Sequence, residues 1–267
     1  MSAKASKSGA LKRVELLAET YALEGGEYLE HGPIWNAERW SGALAREELA
    51  TFSWESTWGT HVTRGHLLES WGQAMEEHDA VVAFFLTMVW GLGKHYLGPY
   101  KVRMMLDSMP APELGSFLLG VRQHVRQAPV DKHLEALKEA YVEILGAKIN
   151  HLGPVYASKL LYAMSPPNNR APVVDVWVKR WGSRYGYDFE LDSSKKWTWN
   201  GEKFGQFVSF CDDCTSALTI RADGRTSATY SDRGFVEYLV FWDSKYRSRK
   251  PWLPSPEFPR WVTKTSS

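Results

Sequence analysis

The chain has 267 residues, of which 44% are hydrophobic and 24% charged, with a formal net charge of +1. Such a composition excludes wholesale disorder, and the two cysteines, Cys211 and Cys214, exclude a disulfide framework. The longest strongly apolar run, residues 80–89, is too short to cross a bilayer and predicts a buried helix. Because no apolar signal core follows the basic residues 1–13, we expect a cytoplasmic protein without a membrane partner.

Apolar residues recur at spacings of three and four along most of the chain, which predicts an all-α fold or nearly so. In chain order, helices are predicted over 11–21, 43–52, 65–75, 80–90, 100–108, 112–127, 134–145, 154–164, 172–185, 204–219 and 234–246. A short hairpin around residues 218–230 is the best candidate for strands. Three prolines within residues 253–259 predict an extended strap.

No internal repeat or low-complexity linker divides the sequence. We therefore expect one helical domain over residues 1–267. Its predicted parts are N-terminal helices over 10–78, a core over 79–246 with a helical hairpin near 140–164, and a basic extended tail over 247–267.

The two cysteines have the C-x-x-C spacing of half a zinc site. No further cysteine follows, and every histidine lies at or before His151. We therefore predict a neutral structural pair on a helix and no metal site.

Basic and aromatic residues alternate from Lys245 onward. This pattern suits phosphate contact combined with stacking, but it also suits a solvated tail that wraps the domain. Thirteen tryptophans offer flat surfaces for stacking, although most are expected to pack in the core.

The most informative stretch, residues 149–177, reads as helix, tight turn, helix, rigid loop and helix. Gly153 and Pro154 form the turn, with Pro154 suited to the first helical position. The free backbone N–H groups of the turn, near Asn150, His151 and Val155, can hold a phosphate at the positive end of the helix dipole.

Lys159 shares one face of the second helix with Val155, Tyr156, Leu160 and Ala163. An amine on such an apolar stripe loses hydration of its charged form, so a larger fraction is neutral and nucleophilic. The alternative is a structural lysine whose stem lies along the helix edge and whose ammonium reaches water.

Asp175 follows Lys159 by sixteen residues, beyond a loop stiffened by Pro166, Pro167 and Pro172. It stands at the start of an apolar and aromatic helix. A carboxylate at that place can be a simple helix cap, and it can equally serve as an anion in a reaction.

These residues resemble the helix-hairpin-helix DNA glycosylase superfamily, and within it the 8-oxoguanine glycosylase (OGG-like) branch, which adds a lysine on the hairpin's second helix. Residues 89–93 (Val-Trp-Gly-Leu-Gly) and 97–101 (Leu-Gly-Pro-Tyr-Lys) resemble a motif of bacterial OGG-like proteins. The resemblance covers about residues 80–185, and 234–242 is similar to the final aromatic helix. The turn departs from the usual Gly-hydrophobic-Gly, and Lys159 stands one turn later, as in the archaeal 8-oxoguanine enzymes.

The resemblance implies a two-lobed helical domain with a central cleft, which acts as a monomer on double-stranded DNA containing a modified base. The target nucleotide would be flipped out of the duplex, and Lys159 would attack C1′ and expel the base. The resulting Schiff base would permit β-elimination of the strand, and this chemistry would require no metal or organic cofactor. Asp175 would stabilise the positive charge that develops on the sugar and help to deprotonate the lysine.

Stacking of the base requires flat apolar rings. The candidates are Trp90, Trp177, Phe235, Tyr238 and Trp242, each of which has a place in the core as its alternative. Besides Gly153 and Val155 of the turn, the candidates for phosphate contact are Lys94, Lys101, Asn150, His151 and Arg180.

Excision of 8-oxoguanine during DNA repair is the function that the resemblance implies first. One alternative is the excision of a bulky modified cytosine from phage DNA, as an anti-phage defence. Another is a non-catalytic DNA-binding protein that kept the hairpin. A helical interaction protein unrelated to DNA is the third alternative.

Overall fold

The computed structural model describes residues 7–24, 28–30, 32–50, 52–53, 60–93, 95–185, 187, 200–221 and 232–249. Over these residues the chain forms eleven α-helices and no strand, so the predicted all-α class is confirmed. The helices are α1 (Lys7–Glu24), α2 (Ala37–Leu44), α3 (Arg64–Gln73), α4 (Glu77–Leu92), α5 (Gly98–Leu106), α6 (Ala111–Gln127), α7 (His133–Gly146), α8 (Pro154–Met164), α9 (Val176–Arg184), α10 (Gly201–Arg221) and α11 (Arg233–Arg249).

Most predicted helices are present, and three predicted segments need correction. The helix predicted over 43–52 is wrong beyond Leu44, because α2 begins earlier, where Asn36 caps it by accepting from the Arg39 N–H at 2.8 Å, and ends at Leu44, leaving only a short 3-10 helix at Glu47–Leu49. The helix predicted from 172 begins only at Val176, after non-helical backbone over 171–175 in which Asp175 is extended. The strand predicted from 218 is wrong for residues 218–221, which continue α10; the rest of that segment and the strap at 253–259 lie outside the described residues.

The chain divides into two compact units, of which unit 1 comprises Met1–Tyr28 and Pro167–Ser267. Its described helices are α1, α9, α10 and α11, which pack on one another through fully buried apolar side chains. These include Val14, Leu17, Trp181, Phe207 and Leu239. Cys211 and Cys214 lie in the same core on α10, and burial raises the pKa of both thiols, as suits a structural pair.

A buried carboxylate connects three helices of unit 1. Asp243 on α11 is fully buried and accepts hydrogen bonds from Arg13 on α1 at 2.5 Å, from Trp181 on α9 at 2.9 Å and from Arg247 at 3.0 Å. Burial alone would raise the pKa of Asp243, but the hydrogen bonds and charge of Arg13, with Arg247, hold it below its ordinary value. Unit 1 therefore contains a satisfied buried ion pair.

Unit 2 comprises Leu29–Pro166 and contains α2 to α8. Helix α4 lies at its centre and contacts α3, α5, α6 and α8. All of residues 80–89 except the half-buried Val82 are buried, which confirms the buried helix predicted for this apolar run. The hydroxyl of Thr87 is satisfied there, because it accepts from Trp71 Nε1 at 2.9 Å and donates to Ala83 O at 2.8 Å.

Helices α7 and α8 pack against each other and form the predicted helical hairpin. The Tyr141 hydroxyl on α7 donates to the Pro154 carbonyl at 3.3 Å, which fixes the first turn of α8. Helix α8 has the predicted bounds, from Pro154 to Met164. No helix in the described ranges is long and apolar enough to span a membrane.

Candidate functional site

The connection between α7 and α8 is a tight, internally bonded turn. Lys148 and His151 both have positive φ values, of 55° and 60°, a conformation that side chains other than glycine adopt at a cost. The Leu152 N–H donates to Ile149 O and the Gly153 N–H to His151 O, each at 3.1 Å. The turn is therefore held in one strained conformation.

Helix α8 begins without a side-chain cap. Gly153 occupies the cap position with extended backbone and has no side chain to offer, and Pro154 has no N–H. The N–H of Val155 therefore points to the open end of the helix. A Cβ atom added at Gly153 would meet no atom within 4 Å, so this glycine leaves space for an external group to approach the backbone.

Helix α5 lies beside this turn. The Asn150 N–H donates to Ser108 Oγ at 2.8 Å, and the rings of His151 and Tyr100 are 6.0 Å apart. Asn150 and His151 are exposed, while Lys101 on α5 is half-buried. The structure thus groups the predicted phosphate contacts of the hairpin with those of α5. Lys94 lies outside the described residues.

The predicted nucleophile extends from α8 towards α4. Lys159 Nζ donates a hydrogen bond to the Gly91 carbonyl at 3.2 Å, and it lies 5.1 Å from the ring centroid of Trp90 and 5.5 Å from that of Tyr156. The side chain is half-buried. The amine is therefore held between α8 and α4 by a carbonyl and two ring faces, which are partners that suit an amine in apolar surroundings.

Gly91 makes this position of the lysine possible. An added Cβ at residue 91 would lie 3.0 Å from Lys159 Cδ and 3.2 Å from Nζ. Any side chain at this position would therefore crowd the amine. The sequence carried a signal for this glycine, because Gly91 interrupts the last turn of an apolar helix.

The Trp90 ring beside Lys159 also contacts a second ring, that of Tyr162, and a second cation, Arg64. Trp90 and Tyr162 are stacked with 6.4 Å between centroids and 15° between planes. The Arg64 guanidinium, which is only 3% exposed, lies 5.2 Å from the Trp90 centroid and 5.0 Å from that of Tyr162. Sequence reasoning missed Arg64 and Tyr162, because α3 is almost a hundred residues from α8 and no local pattern connects them.

Asp175 belongs to unit 1 and is the cap of α9. Its Oδ1 accepts from the N–H groups of Trp177 at 2.8 Å and Val178 at 3.0 Å. The capping interpretation is therefore confirmed. A cap is not incompatible with a chemical role, because an aspartate held in this way keeps its charge at a fixed place.

The backbone that precedes Asp175 is also fixed. Residues 171–174 are buried, and Arg170 forms an ion pair with Asp232, the residue in front of α11. The Tyr28 hydroxyl donates to the same carboxylate and accepts from Arg170 at 2.9 Å. This network restrains the segment that leads to Asp175.

The remaining candidates of unit 1 differ in exposure. Phe235 and Tyr238 are almost fully buried, and their rings contact those of Tyr21 and Tyr28 with centroids 5.0 to 5.9 Å apart. These two rings pack in the core of unit 1. Trp242 is half-buried, with the Lys245 amine 4.5 Å from its ring centroid.

Trp177 and Arg180 lie together on α9. Trp177 is half-buried, Arg180 is exposed, and the guanidinium lies 4.9 Å from the tryptophan ring centroid. A half-buried ring beside an exposed cation suits contact with a nucleotide.

Comparison with known proteins identifies the family. A model of the family described as "Putative 8-oxoguanine DNA glycosylase OGG-like protein" matches residues 26–241, a range that includes Lys159, Asp175 and the helical hairpin. No curated protein and no solved structure matches significantly. Since the match spans well over half of the chain, the resemblance in the sequence is confirmed, and the chain belongs to the OGG-like DNA glycosylase family.

Proposed function

We propose that this protein excises a modified base from double-stranded DNA, with Lys159 as the nucleophile and Asp175 as its charged helper. The observation that supports this proposal most directly is the position of the lysine amine, half-buried between the Gly91 carbonyl and the rings of Trp90 and Tyr156. A nucleophilic amine must be held in one place and must be partly shielded from water.

The proposed reaction begins when the neutral Lys159 amine attacks C1′ of an extruded deoxynucleotide. The N-glycosidic bond breaks, and the base leaves with the bonding electrons and takes up a proton. The C1′–O4′ bond then breaks and O4′ takes up the second amine proton, which opens the sugar ring and leaves an imine between Nζ and C1′. Loss of the C2′ proton then allows β-elimination of the 3′ phosphate.

Asp175 supplies negative charge for two tasks in this scheme. It stabilises the positive character that the sugar gains as the glycosidic bond breaks, and it favours proton transfer from the lysine. Its cap hydrogen bonds use Oδ1 and orient the carboxylate. The role therefore needs the charge of the side chain, whereas the cap needs only an oxygen acceptor.

The hairpin supplies the contact with the DNA backbone. The open N–H of Val155, the space at Gly153 and the exposed Asn150 and His151 suit a phosphate that is bound without regard to sequence. Lys101 and Arg180 are further candidates for phosphate contact. For the base itself, Trp90, Trp177 and Trp242 remain the stacking candidates.

Borohydride trapping tests the nucleophile. Wild-type protein is incubated with duplex DNA that carries 8-oxoguanine, and sodium borohydride reduces any imine to a stable cross-link. We expect a cross-link with wild type and with the control variant Lys179→Ala, and none with Lys159→Ala. A cross-link of normal yield in Lys159→Ala would overturn the assignment, and binding without any cross-link would indicate a protein that only binds DNA.

A panel of duplexes, each with one modified base, tests the substrate. We expect 8-oxoguanine to be excised, as the family description suggests. If the protein excises no oxidised purine but does excise a bulky modified cytosine, the proposed role in DNA repair is wrong and a role in defence against phage DNA takes its place. Strand cleavage after excision, measured on a denaturing gel, tests the lyase step.

A further inference from the structure

The exposed aromatic rings of the described residues are concentrated in one short segment of unit 2. Tyr96, between α4 and α5, is 83% exposed, and Tyr100 in the first turn of α5 is 48% exposed. Every other described Trp, Tyr or Phe side chain is buried or half-buried. An exposed pair of large rings is uncommon on a surface that contacts only water, and it points to a binding partner.

Tyr96 is exposed although its backbone is rigidly held. The His95 N–H donates to Leu92 O at 2.8 Å, and the His95 carbonyl accepts from the Gly98 N–H at 2.8 Å and also from Arg39. The ring of His95 accepts from the Leu97 N–H at 3.2 Å. Hydrogen bonds therefore fix the turn on both sides of the tyrosine.

The rings of His95 and Tyr96 form a nearly parallel stack. Their centroids are 5.3 Å apart and their planes differ by 10°. Because the histidine ring is itself bonded to the backbone, the stack presents a flat face whose orientation is set before any partner arrives. A tyrosine held in this way loses little conformational entropy on binding.

This segment is continuous with the helical hairpin. The ring of Tyr100 contacts that of His151 at 6.0 Å, and Ser108, just after α5, accepts from the Asn150 N–H at 2.8 Å. Residues 95–106 and 147–153 contain no carboxylate, and Asp107, which follows α5, is paired with Arg46. Lys101, Arg103 and Lys148 are all basic. We call the surface formed by His95, Tyr96, Tyr100 and these three basic residues the α5 surface.

We propose that the α5 surface binds a DNA strand next to the hairpin, with an unpaired or unstacked base on the face of Tyr96 and phosphates on the basic residues. The proposal rests on the proposed function, because extrusion of a nucleotide is what leaves bases without their stacking neighbours. Flat rings combined with positive charge fit nucleic acid better than an apolar protein partner, which would need a larger uncharged patch.

Equilibrium binding to a defined duplex tests the proposal. The probe is a fluorescent duplex that carries a tetrahydrofuran abasic-site analogue, which cannot be excised, and anisotropy gives the Kd over a range of salt concentrations. We expect Tyr96→Ala to weaken binding about tenfold, as for loss of one base stack, and Tyr96→Phe to bind as wild type. Tyr96→Leu should resemble the alanine variant, because leucine is apolar but not flat.

The salt dependence separates stacking from charge. Tyr96→Ala should leave the slope of log Kd against log salt unchanged, whereas Arg103→Ala should reduce it by about one, the loss of one phosphate contact. Val142→Ala removes an exposed apolar group of α7 in the same unit and should have no effect. Thermal unfolding checks that each variant folds.

The proposal is overturned if Tyr96→Ala binds the duplex with wild-type affinity, or if Tyr96→Leu does. It is also overturned if Tyr96→Ala weakens binding only by changing the slope of log Kd against log salt. Failure of the proposed function looks different, because wild type would then give no borohydride cross-link whatever the Tyr96 variants do.

Discussion

Replacement of Asp175 separates the cap of α9 from the proposed chemistry. Asn at position 175 retains an oxygen that can accept from Trp177 and Val178, so the cap survives, but the negative charge is lost. Ala removes both. The two variants therefore share the loss of charge and differ in the loss of the cap.

Each effect has an expected magnitude. Asp175→Ala should lower the free energy of unfolding by about 1 kcal/mol, the usual cost of losing an N-cap, and Asp175→Asn by only a few tenths through the weaker interaction with the helix dipole. Both should slow base excision by about a hundredfold or more, which corresponds to about 2.7 kcal/mol of activation free energy.

Single-turnover excision with enzyme in excess measures the chemical step, and urea unfolding measures stability. DNA affinity, from anisotropy on the tetrahydrofuran duplex, should stay within a few-fold of wild type in both variants. An asparagine variant that excises the base at a near-native rate, beside a slow alanine variant, would show that Asp175 acts only as a cap and would refute the proposed role of its charge.

Three further predictions concern other positions of the two units. Gly91→Ala should slow single-turnover excision about tenfold by displacing Lys159, while the free energy of unfolding changes by less than about 1 kcal/mol; an unchanged rate would contradict the argument. Asp243→Asn should lower the free energy of unfolding at pH 7 by about 3 kcal/mol, because Arg13 keeps a buried charge without its anion. Since the pKa of Asp243 is lowered in the folded protein, its contribution is complete above about pH 4 and is lost as the pH falls further, so urea midpoints of wild type and variant should converge in acid. Gly153→Ala should leave the thermal midpoint unchanged but weaken DNA binding about tenfold in anisotropy titrations, because a methyl group would occupy the space left for a phosphate.

The sequence predicts much of the helical architecture because its boundaries are marked by local chemistry. Gly153 and Pro154 mark the start of α8, and Pro166 follows its end, so the predicted and observed bounds agree. For α9 the same signals predict the wrong start, because Pro172 suits a first helical position while the side chain of Asp175 is the actual cap. Two signals for a helix start compete there, and only the tertiary structure decides between them.

The environment of Lys159 is harder to predict from the sequence. Periodicity places Tyr156 on the same face of α8, and this pair is in contact. The Gly91 carbonyl and the Trp90 ring, however, come from a helix sixty-eight residues earlier in the chain, and their approach depends on the packing of α4 against α8. A family resemblance singles out the lysine, but only the packing of the helices reveals which groups hold it.

Unit 1 is discontinuous in the sequence, and this has a consequence for the order in which the protein folds. Helix α1 is synthesised before unit 2 and its partners α10 and α11 after it, whereas all of unit 2 lies in one continuous stretch between them. During synthesis unit 2 can fold as soon as residue 166 has emerged. The ion pair between Arg13 and Asp243, in contrast, can form only after α11 has been synthesised. A chain that is arrested before α11 should therefore protect unit 2 from protease and leave α1 open to digestion.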